Sequence, residues 1–204
     1  MASWSRDLTD EEKERLRQKP YIGGDGGGYG TLDQIRRFQE IQSRYLKLIS
    51  EQLVLMGRPV RLLDIGAGEG YLKKLSAPWG WIYEGLDPLP DAGHVKKGKI
   101  ADAYGGDDYY DIVVYNHVME HVVSPDMEVA WAARKLQPGG ILFIAVPDGD
   151  LPWSWEIPAH IWRYNQNLLH KLVARHGLVG YETFKLCFRK DNGEIWFVAR
   201  KPEK

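Results

Sequence analysis

Apolar positions along the chain follow two rhythms. Leu32, Ile35, Phe38, Ile41, Tyr45, Leu48 and Ile49 recur at helical spacing and predict a helix within Leu32 to Leu55. From Arg61 onward the pattern changes to short apolar runs. Arg61 to Ile65, Trp81 to Asp87, Asp111 to Asn116 and Ile141 to Val146 read as buried strands. A short strand is expected just before Ile100. Between the runs lie helix signals. Ser124-Pro125 starts a helix that runs to about Leu136 and stops at Pro138-Gly139-Gly140. Another helix is expected from about Gln166 to Arg175. Near the end, Tyr181 to Phe188 alternates in part and Ile195 to Ala199 is apolar. Asp191-Asn192-Gly193 between them predicts a hairpin.

The first strand ends in the most informative stretch, Asp64-Ile65-Gly66-Ala67-Gly68-Glu69-Gly70-Tyr71. Three glycines at alternate positions follow an acidic residue, and a helix-forming segment follows them. Glycine lets a backbone approach a ligand closely and adopt angles that a Cβ forbids. The open N–H groups of a helix start can then hydrogen-bond a polar ligand. A nucleotide-like cofactor across this turn is the expectation. The spacing is not that of a dinucleotide-binding unit, in which the third glycine comes one residue later. At the tip of the second strand, Asp87 is well placed to accept from both hydroxyls of a ribose.

The glycine turn with Asp64 resembles the first motif of the class I S-adenosylmethionine (SAM)-dependent methyltransferases. The Leu136-x-Pro138-Gly139-Gly140 stretch with its apolar strand resembles them too, and so does the closing hairpin. Asn116-His117-Val118-Met119-Glu120-His121-Val122 and His160-Ile161-Trp162-Arg163-Tyr164 are similar to the small-domain type 11 and type 23 methyltransferases. The resemblance covers about Arg61 to Lys201. It implies an α/β fold: a Rossmann-like seven-stranded sheet, mostly parallel, with a C-terminal antiparallel hairpin and helices on both faces. It also implies SAM as cofactor and S-adenosylhomocysteine as product. The implied cofactor contacts are Asp64, Gly66, Ala67, Gly68, Gly70, Asp87, Pro88, Asp102, Ala103, Asn116 and His117. In this set Asp87 takes the ribose and Asp102 the adenine amino group.

Ligands of open α/β sheets bind beyond the C-terminal strand ends, so the acceptor should meet the methyl group near the ends of strands four and five. His117, just past strand four, is the expected base, ahead of His121 one helical turn on; His160 is a third candidate. Ubiquinone-pathway O-methyltransferases and small-RNA 3′-end methyltransferases place a Glu-x-x-Glu-His metal motif here. This chain has His-x-x-Glu-His, with His117 in the first place, and a divalent metal is not expected. Beyond strand five, Trp153, Trp155 and Trp162, three of eight tryptophans, could wall an apolar acceptor pocket.

Residues 1–30 read as a lid or flexible segment. Thr9 and Glu12 form a capping box on a charged helix running to about Gln18, and the glycine run Gly23 to Gly30 is a hinge. Residues 31–204 read as a single SAM-binding domain. Arg36, Arg37 and Arg44 are candidate partners for the cofactor carboxylate. Charge is nearly balanced, at −1, which argues against nucleic acid. One cysteine, Cys187, excludes an internal disulfide and is expected in the core. No apolar run reaches membrane-spanning length and no signal peptide is seen, so a cytoplasmic protein is expected. The function that follows is methyl transfer to a small molecule, O-methylation favoured. The alternatives are metal-assisted RNA or nucleotide methylation, or a non-catalytic SAM-binding partner subunit.

Overall fold

The structure, a computed structural model, describes residues 46, 58–68, 70–89, 93–152, 154, 157–189 and 192–203. The expected N-terminal lid, its hinge, the three candidate arginines, Trp153 and Trp155 lie outside the described residues. Within the expected helix over Leu32 to Leu55, Leu46 is described; it is helical and buried.

Seven strands form one sheet: β1 (Arg61–Ile65), β2 (Ile82–Asp87), β3 (Lys96–Lys97), β4 (Tyr110–Asn116), β5 (Leu136–Pro147), β6 (Val179–Arg189) and β7 (Asn192–Arg200). Their spatial order is β3-β2-β1-β4-β5-β7-β6. The pairs from β3 to β5 are parallel. β7 runs antiparallel to both β5 and β6. Strands β1, β4 and β5 are buried on both faces, which is why they read as unbroken apolar runs. On one face Leu63, Val113, Tyr115 and Ile144 pack with residues of α2 (Pro125–Lys135) and α3 (Gln166–Ala174). On the other, Leu62, Val114, Phe143 and Trp196 pack with Leu46 and with Leu72 of α1 (Tyr71–Ser76). No helix among the described residues is long and apolar enough to cross a membrane.

Two boundaries differ from expectation. β5 starts at Leu136 and includes the Pro-Gly-Gly stretch, because Leu136 pairs with Tyr110 ahead of a register shift. Gly139 N–H and Gly140 C=O then bond to the backbone of Lys201, which holds this stretch as sheet. In the hairpin, Asn192 and Gly193 belong to β7 rather than to the turn. A bulge between Cys187 and Arg189 advances the strand so that Arg189 pairs with Asn192. Residues 190 and 191 between them, and the side chain of Cys187, lie outside what is described.

The C-terminal ends of β1 and β4 position everything that follows. Ile65 and Tyr115 are register partners, so the two central strands end side by side. Gly66 then takes the left-handed conformation, φ +69°. Its N–H and that of Ala67 both donate to Leu86 C=O, at 2.8 and 3.1 Å, bending the chain over β2. A methyl group on Gly66 would run into Cγ2 of Val118, from the turn after β4. The two turns therefore interlock where the side chain is absent.

Beneath them Asp64 is buried and accepts a hydrogen bond from the Tyr83 hydroxyl at 2.9 Å. Burial pushes its carboxyl up to about 7; the Tyr83 bond lowers it in part, and the charge of Asp87 raises it further.

Gly66→Ala is expected to cost about 2–4 kcal/mol in urea unfolding, from the left-handed backbone plus the clash. Gly80→Ala, at φ +67° with open space around it, should lose only the backbone share, about 1–2 kcal/mol. Equal losses would refute the interlock. Asp64 gives a pH signature. An acid whose folded pKa is raised stabilises the fold below its unfolded value of about 3.9 and loses that contribution as pH rises through the folded value. Stability should therefore decline between those two limits, and Asp64→Asn should flatten the decline in melting curves taken across that range.

Candidate active site at the strand ends

The glycine turn offers open space at one point. Gly68 is left-handed, φ +50°, and nothing lies within 4 Å of where its Cβ would be. Its N–H donates to Asp87 Oδ2 at 3.0 Å, while Leu89 N–H donates to Asp87 Oδ1 at 2.7 Å. Each carboxylate oxygen thus takes one backbone hydrogen and keeps further lone-pair capacity. That arrangement suits two neighbouring hydroxyls. Asp64, Gly66, Ala67, Gly68, Gly70, Asp87 and Pro88 gather at this turn. Gly98 N–H, just after β3, bonds Asp87 C=O at 2.9 Å and brings the next segment alongside. There Asp102 is exposed and its Oδ2 caps the short 3-10 turn Ile100–Asp102 by accepting from Lys99 N–H. Ala103 is buried in the core. Asn116 and His117 close the other side, through the contact of Val118 with Gly66.

The turn after β4 carries the histidines. His117 is left-handed, φ 53°, which is uncommon for a residue with a Cβ. Its backbone N–H bonds Ala145 C=O at 2.9 Å. Its ring Nδ1 lies 3.2 Å from Glu120 Oε1 and its Nε2 2.8 Å from Glu194 Oε1. Glu194 is buried in β7, opposite Pro147, and its Oε2 accepts from Trp196 Nε1–H at 3.0 Å. Sequence reading missed Glu194. Its only signal there is a carboxylate directly before an apolar strand, and its partner stands 77 residues away.

A second segment is strapped over this turn. Ile161 and Trp162 N–H both donate to Glu120 C=O, at 2.9 and 3.2 Å. Trp162 Nε1–H donates to Val122 C=O at 2.8 Å, and Tyr164 O–H to Met119 C=O at 3.0 Å. His121 Nδ1 donates to Ala159 C=O at 2.9 Å, because a carbonyl can only accept. In the neutral ring the lone pair then sits on Nε2. His160 lies next to it, ring centroids 5.0 Å apart. The structure thus brings together all three histidines singled out from the sequence.

Charge divides unevenly among them. Burial pushes Glu120 up, but the hydrogen bond and charge of His117 and the charge of His121 outweigh it and hold the carboxyl below its ordinary value. Glu120 Oε2 is buried and meets no hydrogen-bond donor among the described residues. Burial lowers His160 to about 4, against the pull of Glu120, so its ring is neutral near pH 7.

Glu120, His121 and His160 offer donor atoms within 4.8 Å of one another. Two imidazoles and one carboxylate would suit a borderline ion rather than magnesium, which favours oxygen ligands. His117 is outside that group, its ring turned to Glu194. The second carboxylate of the resembling metal motif is therefore absent, and one oxygen of the remaining carboxylate is already taken by His117.

Residues 34–183 match the family described as "Methyltransferase domain". Among curated proteins, the ubiquinone biosynthesis O-methyltransferase of Methylobacterium sp. (strain 4-46) is 34% identical over 169 residues, 68% of this chain and 67% of that protein. The same-named protein of Methylobacterium nodulans is 34% identical over 98 residues, 41% of this chain and 39% of its own length. The chain thus spans between two fifths and two thirds of these relatives. Among solved structures, the 1,6-didemethyltoxoflavin-N1-methyltransferase of Burkholderia thailandensis, with its ligand and S-adenosylhomocysteine bound, superposes with a TM-score of 0.61 at 18% identity. It covers 77% of this chain and 76% of that one. The sheet order, the open glycine turn and the family match converge: the chain belongs to the class I SAM-dependent methyltransferases.

Proposed function

We propose that the protein transfers the methyl group of SAM to an oxygen of a small-molecule acceptor at the tips of β4 and β5. The carrying observation is the interlock of the Gly66 turn with the turn that bears His117, Glu120 and His121. It sets the open turn at Gly68 beside a wall of imidazoles and a buried carboxylate. The O-methyltransferase names of the curated relatives support oxygen as the methylated atom.

Bound SAM supplies an electrophilic methyl group on a sulfonium, and the chain's residues do the rest. Gly68 and Asp87 orient the nucleoside end. The acceptor hydroxyl must lose its proton as the new C–O bond forms and the S–C bond breaks, leaving S-adenosylhomocysteine. His121 is the group we assign to that proton. Its Nδ1 is committed to Ala159 and its side chain is 27% exposed, whereas His117 turns both nitrogens to carboxylates. We assign the base role to His121 rather than to His117, where the sequence alone points. Glu120 Oε1, 3.9 Å from His121 Nε2, stabilises the imidazolium that results.

Calorimetry with S-adenosylhomocysteine tests the cofactor half. Gly68→Val should abolish binding by filling the open space. Asp87→Ala should weaken it by about 1–3 kcal/mol. No heat with folded wild-type protein would sink the reading. For the acceptor half, a panel of small phenols and alcohols identifies a substrate. His121→Gln should then lower kcat by about 10²–10⁴ while cofactor affinity holds. Undiminished kcat in that variant would remove His121 as the base.

A further inference from the structure

We propose that Glu194 is a positioning residue of the methyl-transfer site, holding His117 as a fixed imidazolium between itself and Glu120. The inference rests on the methyltransferase reading and extends it to a residue of β7 on a different strand of the sheet.

A carboxylate accepts hydrogen bonds and donates none. Nδ1 of His117 faces Glu120 Oε1 and Nε2 faces Glu194 Oε1. Both contacts are hydrogen bonds only if both ring nitrogens carry hydrogen, which makes the ring a cation. Glu194 is itself fixed from behind, since its other oxygen takes the Trp196 indole N–H. Trp196 is almost fully buried, stacked edge-on against Phe143 with ring centroids 5.9 Å apart. The chain Trp196–Glu194–His117–Glu120 therefore runs from the core into the site without a loose joint.

The position requires a carboxylate. Trp196 and His117 both present N–H groups to residue 194, one to each oxygen. Glutamine has one oxygen to offer and would turn its own N–H₂ toward one of the two donors. Glutamate satisfies both. The pairing also explains how a left-handed His117 persists, because the ring is held at both ends while the backbone N–H is tied to Ala145. With its hydrogens given to carboxylates, His117 takes no proton from the acceptor. It balances Glu120, whose Oε1 also lies 3.9 Å from His121 Nε2 and whose Oε2 is buried and without a donor among the described residues.

Nitrogen-15 NMR of the ring nitrogens in the S-adenosylhomocysteine-loaded protein tests this. Wild-type His117 should show both ring nitrogens protonated, with the Nε2 hydrogen far downfield. Glu194→Gln should remove or shift that hydrogen, keep S-adenosylhomocysteine affinity within about threefold, and cut kcat by about tenfold or more at unchanged KM for SAM. Adding Trp196→Phe releases the single glutamine oxygen to His117. The double variant should recover the His117 signal and part of kcat, an outcome that simple loss of packing would not produce. A singly protonated His117 in the wild type, or ring signals and kcat unaltered in Glu194→Gln, would overturn the proposal. Failure of wild-type protein to bind S-adenosylhomocysteine would instead strike the methyltransferase reading, while the ring signals would still report on the pairing.

Discussion

Where a side chain on Gly66 would stand, Val118 already stands. That single exclusion couples the two halves of the site. The turn after β1 and the turn after β4 come from segments some fifty residues apart, yet they share one volume. Parallel neighbours β1 and β4 end at the same level because Ile65 and Tyr115 are register partners. Both chains must then leave the sheet in a small space, and both do so through left-handed residues, Gly66 and His117. Hydrogen bonds at β2 and β5, to Leu86 and Ala145, fix the directions in which they leave. Interiors packed at this density do not slide continuously. A cofactor held at the glycine turn is thereby held at a set distance from the histidine wall.

The second organising feature is the strap after β5. Bonds from Ile161, Trp162 and Tyr164 to carbonyls of Met119, Glu120 and Val122 weld it to the turn after β4. Met119 and Glu120 are buried, so their carbonyls without these bonds would go unpaired, at a cost comparable to a lost hydrogen bond each. Of the tryptophans expected to wall a pocket, Trp162 has a structural task as well. Trp162 both packs on the core and donates to Val122. Over the described residues these bonds tie the wall together, and His121 is the most exposed of its three histidines.

Charge at this wall follows from burial and pairing rather than from residue type. The three histidines differ in what holds them. His117 is clasped by two carboxylates, His121 donates to a carbonyl, and burial keeps His160 neutral. On the other side of the glycine turn, Asp64 lies under the sheet end with Tyr83, and burial brings its ionisation to about 7. The acid of the glycine motif is therefore a buried, hydrogen-bonded group in the protein itself, while Asp87 presents the carboxylate at the surface of the turn.

Local chemistry was enough to read the strands, the glycine turn and, among the described residues, α2 and α3. Apolar runs buried on both faces have no other stable home than the middle of a covered sheet. Ser124 caps α2 by accepting a backbone N–H, as its position before the helix indicates, and Asn165 does the same for α3. Alternate glycines before a helix leave little choice but a tight turn open to a ligand. Where boundaries moved, the cause was pairing across the sheet: Leu136 found Tyr110, and a bulge near Cys187 shifted the hairpin. The sequence likewise brought His117, Glu120, His121 and His160 under suspicion, but it could not assign their roles. Those depend on which atom each ring nitrogen faces. Glu194 reaches His117 only because β7 returns antiparallel beside β5, and Ala159 reaches His121 only because the strap folds back. Periodicity and turn chemistry act over a few residues and are written in the order of the chain, whereas proton states are set by neighbours that only the closed sheet supplies.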